Sequence, residues 1–289
     1  RIIAYSVGVS YPAIDSSFVR CNFVLIAKKE EQIKISNFLD KKTSQIDKKI
    51  KLLQEKRESY EELKKSLINE IVCRGLNKDV ELKDSGIEWI GKIPKHWKVE
   101  RFKNIFKIEK EVVGNKSTDY KLLSLTQKGV IPRDINGGFG KFPAEFNTYQ
   151  IVKPNDLIFC LFDMDVTPRT IGISSYFGMI TGAYTIVKPI KNLFNKYYYY
   201  LFLVADNDKK LSLYYTGLRN TIRKEKFFSL SIPLLSYFEQ NQITNYLDEK
   251  TSKIDKIISK INDQVETLKE FRKTLINDVV TGKVRIQDE

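Results

Sequence analysis

The sequence predicts an α+β fold in which a β-rich domain is carried on two long helices paired as an antiparallel coiled coil. Three observations predict it. A stretch beginning at Glu31 recurs at Glu239. Both copies lack proline and glycine and carry apolar residues at heptad spacing. The chain between them changes to short β-prone runs bounded by Gly and Pro.

The repeat aligns without a gap. Glu31-Gln32 falls on Glu239-Gln240, Asn37-Phe38-Leu39-Asp40 on Asn245-Tyr246-Leu247-Asp248, and Lys42-Thr43-Ser44 on Lys250-Thr251-Ser252. Ile46-Asp47-Lys48 meets Ile254-Asp255-Lys256, and Ser66-Leu67-Ile68-Asn69-Glu70 meets Thr274-Leu275-Ile276-Asn277-Asp278. This is a duplicated element and not shared composition.

Each copy is rich in Lys, Glu, Leu and Ile, good helix formers. In the second, Ile254, Ile258, Ile261, Val265, Leu268, Leu275 and Val279 step by fours and threes, with Arg272 in one slot. In the first, Ile46, Ile50, Leu53, Tyr60, Leu67 and Ile71 follow the same scheme, interrupted by Arg57 and Lys64. At about 1.5 Å per residue such a helix is roughly 60 Å long. One amphipathic helix cannot bury its own seam, so the two copies are the natural mates. Units related by a two-fold axis would pair them antiparallel.

The chain divides in order into residues 1–29, the tail of a domain whose body is absent; 30–76, the first helix, closed by Gly75; and 77–98, a linker with Gly, Pro and two Trp. Then follow 99–238, the β-rich domain; 239–281, the second helix; and 282–289, a tail. Within the domain, residues 120–125, 156–162 and 183–187 read as strands and 196–213 as one helix. Tyr197 to Tyr200, four aromatics in a row on that helix, are read as core packing.

With 49 basic and 36 acidic residues the net charge is +13 and the pI near 9.4, which points to a polyanionic partner. No apolar run approaches the ~20 residues that span a bilayer, and a first residue of Arg suggests a chain cut at its N-terminus. Cys21, Cys73 and Cys160, odd in number and without a CxxC pair, read as reduced thiols, consistent with the cytoplasm. A single His, His96, poorly supplies a metal site or a His-driven nucleophile. The glycine-rich run 137–141 lacks phosphate-loop spacing. Asp156, Asp163 and Asp165 lack the lysine and carboxylate that would complete a metal-dependent nuclease. No metal ligands and no catalytic residues are assigned.

The loops of the β-rich domain carry cations beside amides and hydroxyls: Thr126, Gln127 and Lys128; Arg133, Asn136 and Lys141; and Arg169. Base edges take such donors and acceptors, Arg or Lys to guanine and Asn or Gln to adenine. Phosphates take the remaining cations.

Several signatures resemble those of the DNA specificity subunit of type I restriction-modification systems. They are Asp84-Ser85-Gly86-Ile87-Glu88-Trp89-Ile90-Gly91 with Ile93-Pro94-Lys95-His96-Trp97, Tyr149 to Asp156, Ile232-Pro233 before Glu239-Gln240, and the repeated Leu-Asp-Lys/Glu-Lys-Thr-Ser run. The resemblance covers essentially the whole chain, with most of a first target recognition domain missing. It implies a non-catalytic protein whose recognition domain reads one half-site of double-stranded DNA, and whose helices hold methyltransferase subunits. Restriction subunits join in the full complex. S-adenosylmethionine, ATP and magnesium would belong to those partners, with no cofactor in this chain. It also adds Arg219 and Arg223, in a loop that the family places near DNA, to the candidate contacts. A homodimer would supply two recognition domains. The competing readings are a coiled-coil interaction scaffold with only non-specific DNA affinity, and a nuclease or methyltransferase acting alone.

Overall fold

A computed structural model describes residues 20–21, 26–134, 145–190 and 192–286. The chain forms two compact units, one of residues 1–58 with 258–289, the other of residues 59–257.

Two long helices dominate: α1 (Lys29–Arg74) and, last in the chain, α4 (Tyr237–Val280). Neither contains a Gly or Pro, so nothing kinks them. Acidic residues in each first turn, Glu30 and Glu31 in α1 and Glu239 in α4, favour the helix N-terminus. Gly75 ends α1 in the left-handed region (φ +76°), its N–H donating to Ile71 O at 2.9 Å.

In the first unit the seam residues Ile46, Ile261, Val265 and Val279 are buried and Ile50, Leu53, Ile258, Leu268 and Leu275 half-buried, while Lys48, Lys49 and Lys51 are exposed. Arg272 Nε lies 2.9 Å from Asp47 Oδ1. In the second unit Ile71 and Ile254 are buried and Tyr60 and Leu67 half-buried. There Lys64 Nζ lies 2.6 Å from Asp255 Oδ1. Asp47 and Lys64 are 17 residues apart on α1, as are Asp255 and Arg272 on α4, so both ion pairs obey one antiparallel register. The heptad pattern and the antiparallel coiled coil are both realised, and the polar slots at Lys64 and Arg272 are filled by cross-helix ion pairs.

The rest of the second unit is the sheet domain. After α1, β1 (Leu82–Asp84) and β2 (Lys92–Pro94) pair as a hairpin, and the stretch buries Trp89, Ile93 and Trp97. β3 (Lys98–Arg101) pairs with β12 (Ser231–Leu234), so the chain enters and leaves the domain side by side. The central antiparallel sheet has the order β4 (Phe106–Ile108), β11 (Thr185–Pro189), β8 (Leu157–Phe159), β9 (Ile171–Ile173). A hairpin of β5 (Leu123–Thr126) and β6 (Gly129–Pro132) packs on it, and β7 (Gln150–Val152) pairs with β10 (Gly178–Ile180). The hairpin lies so close that a Cβ at Gly172 of β9 would sit 2.7 Å from Val130 Cγ2.

An aromatic core holds the domain. Phe102 is fully buried, with ring centroids of Phe106, Phe227 and Phe202 at 4.7, 5.1 and 5.4 Å. The helix α2 (Asn195–Asn207) buries Tyr197, Tyr198 and Tyr200, so the aromatic run is core. Tyr197 OH donates to Val72 O at 3.1 Å, and burial raises its pKa well above the ordinary range. The helix read over 196–213 stops earlier. Asp206 turns inward to bond Thr170, and Lys209 takes a left-handed φ of +49°, which breaks the helix before a short turn at Ser212–Tyr214.

The start of α4 is the anchor of this domain. The Gln240 amide donates to Leu235 O at 2.9 Å and accepts from Phe194 N–H at 2.8 Å. Glu239 accepts from Trp97 Nε1 at 2.9 Å. Asp248 accepts from Lys196 Nζ at 2.6 Å and Tyr200 OH at 2.7 Å. Ile243 and Leu247 are fully buried beside them.

Candidate nucleic-acid interface

Two tight turns of the sheet domain carry most of the described candidate residues. In the β5–β6 hairpin the Thr126 hydroxyl donates to Gly129 O at 2.9 Å and accepts from Lys128 N–H at 3.1 Å. Gly129 takes φ +97°, a conformation that L side chains rarely adopt. Thr126 therefore shapes the turn, and Gln127 and Lys128 stand exposed on it. Arg133, also exposed, leaves the end of β6, its N–H held by Leu122 O at 2.8 Å. Asn136 and Lys141 lie outside the described residues.

The second turn is Thr216–Thr221, closed by backbone bonds in both directions at 2.9 and 3.0 Å. Gly217 (φ +70°) and Asn220 (φ +41°) are both left-handed. The Arg219 carbonyl accepts from Asp163 N–H at 2.7 Å, and Ile222 N–H donates to Leu161 O at 2.9 Å, so the turn is fastened to the segment after β8. Its Arg219 guanidinium makes a paired interaction with the Asp163 carboxylate and lies 5.2 Å from the Phe162 ring centroid. The hydrogen bond from Arg219 holds the Asp163 carboxyl below its usual range.

Phe162 stacks on Tyr184, centroids 6.1 Å apart and planes 23° from parallel. Burial raises the Tyr184 pKa, and the nearby charge of Arg133 acts in the opposite direction. The structure thus brings Arg219 onto Phe162 and the charge of Arg133, 86 residues earlier in the chain, near Tyr184 of the same aromatic pair. Phe162 and Tyr184 escaped the sequence reasoning as site residues, and Asp163 was weighed there only as a metal ligand and not as a partner of Arg219.

Arg169 is placed differently. Its Nη1 donates to Asp206 Oδ2 at 3.1 Å and Asn207 Oδ1 at 3.0 Å, and its side chain is only 20% exposed. It serves to neutralise a buried carboxylate that also binds Thr170 and Lys209. Arg223 is exposed, and its side chain has no partner among the described residues. It stands immediately before the five-residue α3 (Lys224–Phe228).

Two of the three acidic residues considered as metal ligands have other duties, Asp156 accepting from Lys153 N–H at 2.8 Å and Asp163 holding Arg219, and Asp165 is exposed. Among the described residues no group of three or more His, Cys, Asp or Glu could hold a metal ion. Among them, too, no helix is long and apolar enough to cross a membrane. The exposed Gln127, Lys128, Arg219 and Arg223 carry N–H groups of the kind that donate to base edges or phosphates.

No family model matches the chain. Its sequence is 24% identical, over 300 residues, to the type I restriction enzyme MjaVIII specificity subunit of Methanocaldococcus jannaschii, covering 97% of this chain and 66% of that protein. A chain from a structural study of assembly and conformational transition in the type I R-M system matches with a TM-score of 0.67 and 16% identity, over 94% of this chain and 65% of that one. The HsdS subunit of Thermoanaerobacter tengcongensis matches with a TM-score of 0.50 and 16% identity, over 98% and 66%. The chain thus spans about two thirds of the length of the proteins it matches. In sequence and in fold, the chain is similar to type I restriction-modification specificity subunits.

Proposed function

We propose that this chain is a sequence-specific DNA-binding specificity subunit that reads one half-site through its sheet domain and docks methyltransferase subunits through its helices. The observation that carries the reading is the likeness of fold to a type I R-M chain over 94% of the length. The net charge of +13 and the exposed cations on two fixed turns support a nucleic-acid partner. In this reading the chain performs no chemistry. S-adenosylmethionine, ATP and magnesium act in methyltransferase and restriction subunits, and the complex works in the cytoplasm.

The repeat supports a homodimer. Gln32 makes the same bond to the backbone five residues earlier, Nε2 to Ala27 O at 2.7 Å, that Gln240 makes to Leu235 O. Yet Glu31, Gln32 and Asp40 are exposed where Gln240 is buried and Glu239 and Asp248 have partners in the sheet domain. A second copy would bring a sheet domain for which these side chains are already suited.

The test is selection of bound duplexes from a random pool at physiological salt, with and without a type I methyltransferase subunit. The expected outcome is an enriched motif of a few base pairs, duplicated at fixed spacing if the dimer forms. Binding that enriches nothing and collapses with salt would replace this reading with that of a scaffold having non-specific DNA affinity. Alanine at Gln127, Arg133 or Arg219 should relax preference at single positions, alanine at Arg223 should weaken all sequences alike, and alanine at Arg169 should act on stability.

A further inference from the structure

Leu218 sits at the tip of the Thr216–Thr221 turn with its side chain as exposed as in an isolated residue (105%). A single exposed leucine on an ordinary loop means little. This one is held out by its backbone. Gly217 and Asn220 are left-handed on either side, and the Thr216 hydroxyl donates to Thr221 O at 3.0 Å while Thr221 Oγ1 lies 3.3 Å from Arg219 O. Three backbone bonds fasten the turn to the 161–164 segment: Ile222 to Leu161, Asp163 to Arg219, and Met164 to Asn220. Val166, four residues after Phe162 in that segment, is 73% exposed.

The next residue, Arg219, is fixed by Asp163 and Phe162, and Arg223 and Lys224 are exposed just beyond. An apolar side chain on a rigid tip, with cations on its flank, suits entry into a duplex. The apolar group replaces part of the base stacking and the cations meet the phosphates. Because the tip is already ordered, insertion adds little cost in conformational entropy.

We propose that the Thr216–Thr221 turn is a DNA wedge: Leu218 enters between adjacent base pairs next to the position contacted by Arg219. The inference rests on the reading of the chain as a sequence-specific DNA binder and adds that it distorts the duplex it reads.

The test uses the full chain on its enriched duplex, with 2-aminopurine placed in turn at positions across the site to report unstacking. Wild-type protein should brighten one position several-fold. Leu218→Ala should return that position to the level of free duplex and weaken binding by roughly tenfold, the scale of one lost stacking contact. Leu218→Phe should keep the signal. Leu218 packs against nothing, so neither change should impair folding. If the wild type enriches a duplex but no position brightens, or if Leu218→Ala brightens it equally, the wedge is overturned while sequence reading stands. Loss of preference for a thymine without brightening would also overturn it, in favour of a methyl contact in the groove. If the wild type enriches no duplex at all, the DNA reading fails and the wedge with it.

Discussion

The two copies of the repeat hold the same side chains in different company. At the start of α4, Gln240, Ile243 and Leu247 are fully buried against the sheet domain, and Asp248 binds both Lys196 and Tyr200. At the start of α1 the equivalent Gln32 and Asp40 are exposed and Ile35 and Leu39 only half-buried. The difference separates what a helix sequence specifies from what its surroundings specify. The heptad seam serves both copies because each supplies the other's partner. The anchoring face is covered in the copy at the start of α4, where the sheet domain packs on it, and open in the copy at the start of α1.

The sharpest way to break this comparison is to truncate the matched leucines. Leu247→Ala should cost about 3 kcal/mol in urea unfolding, the cost of a cavity in a closed core. Leu39→Ala should cost about 1 kcal/mol or less, since that side chain is only partly buried and water or its neighbours can fill the space it leaves. If a second copy covers α1, the cost of Leu39→Ala should grow with protein concentration. Equal costs at all concentrations would mean that the two faces do the same work. The matched amides come next. Gln240→Ala leaves Phe194 N–H and Leu235 O unpaired in the core and should cost about 2 kcal/mol, against a few tenths for Gln32→Ala.

What was legible in the sequence follows the same division. The repeat, the seam and the antiparallel pairing could be read because they depend on spacing along one helix and on a second copy of that spacing. The end of α1 was equally plain, since Gly75 is a local signal. The fate of Arg169 was not legible, because the carboxylate that claims it is Asp206, which only folding brings near. Phe162 and Tyr184 meet because β8 and β11 pair with Phe159 opposite Thr185, and no local pattern announces that register. The early stop of α2 likewise depends on where Asp206 finds its partners. Thr126 was noticed for its chemistry, but whether a hydroxyl reads a base or shapes its own turn is decided by geometry.

A smaller contrast concerns the matched aspartates. Asp248→Asn removes the charge facing Lys196 and weakens the bond from Tyr200, and should cost about 1 kcal/mol because both ion-pair partners are partly solvated. Asp40→Asn should be close to silent. A measurable cost at Asp40 in dilute protein would reveal a partner for α1 within the same chain.

The smallest effect separates the two ends of the coil. Lys64–Asp255 and Asp47–Arg272 have similar exposure, 30% and 56% against 54% and 39%, and the same helix register. Double-mutant cycles on exposed pairs give about 0.5 kcal/mol, so equal couplings of that size are expected at both if the coil is equally firm throughout. The Lys64 pair lies in the unit that contains the sheet domain, and the Arg272 pair in the unit built on the start of α1. If the Arg272 coupling vanishes in dilute protein and returns at higher concentration, the outer coil opens and closes with the arrival of a second copy. A coupling that stays near 0.5 kcal/mol at every concentration means the seam alone keeps that end closed, with no second copy needed to hold it.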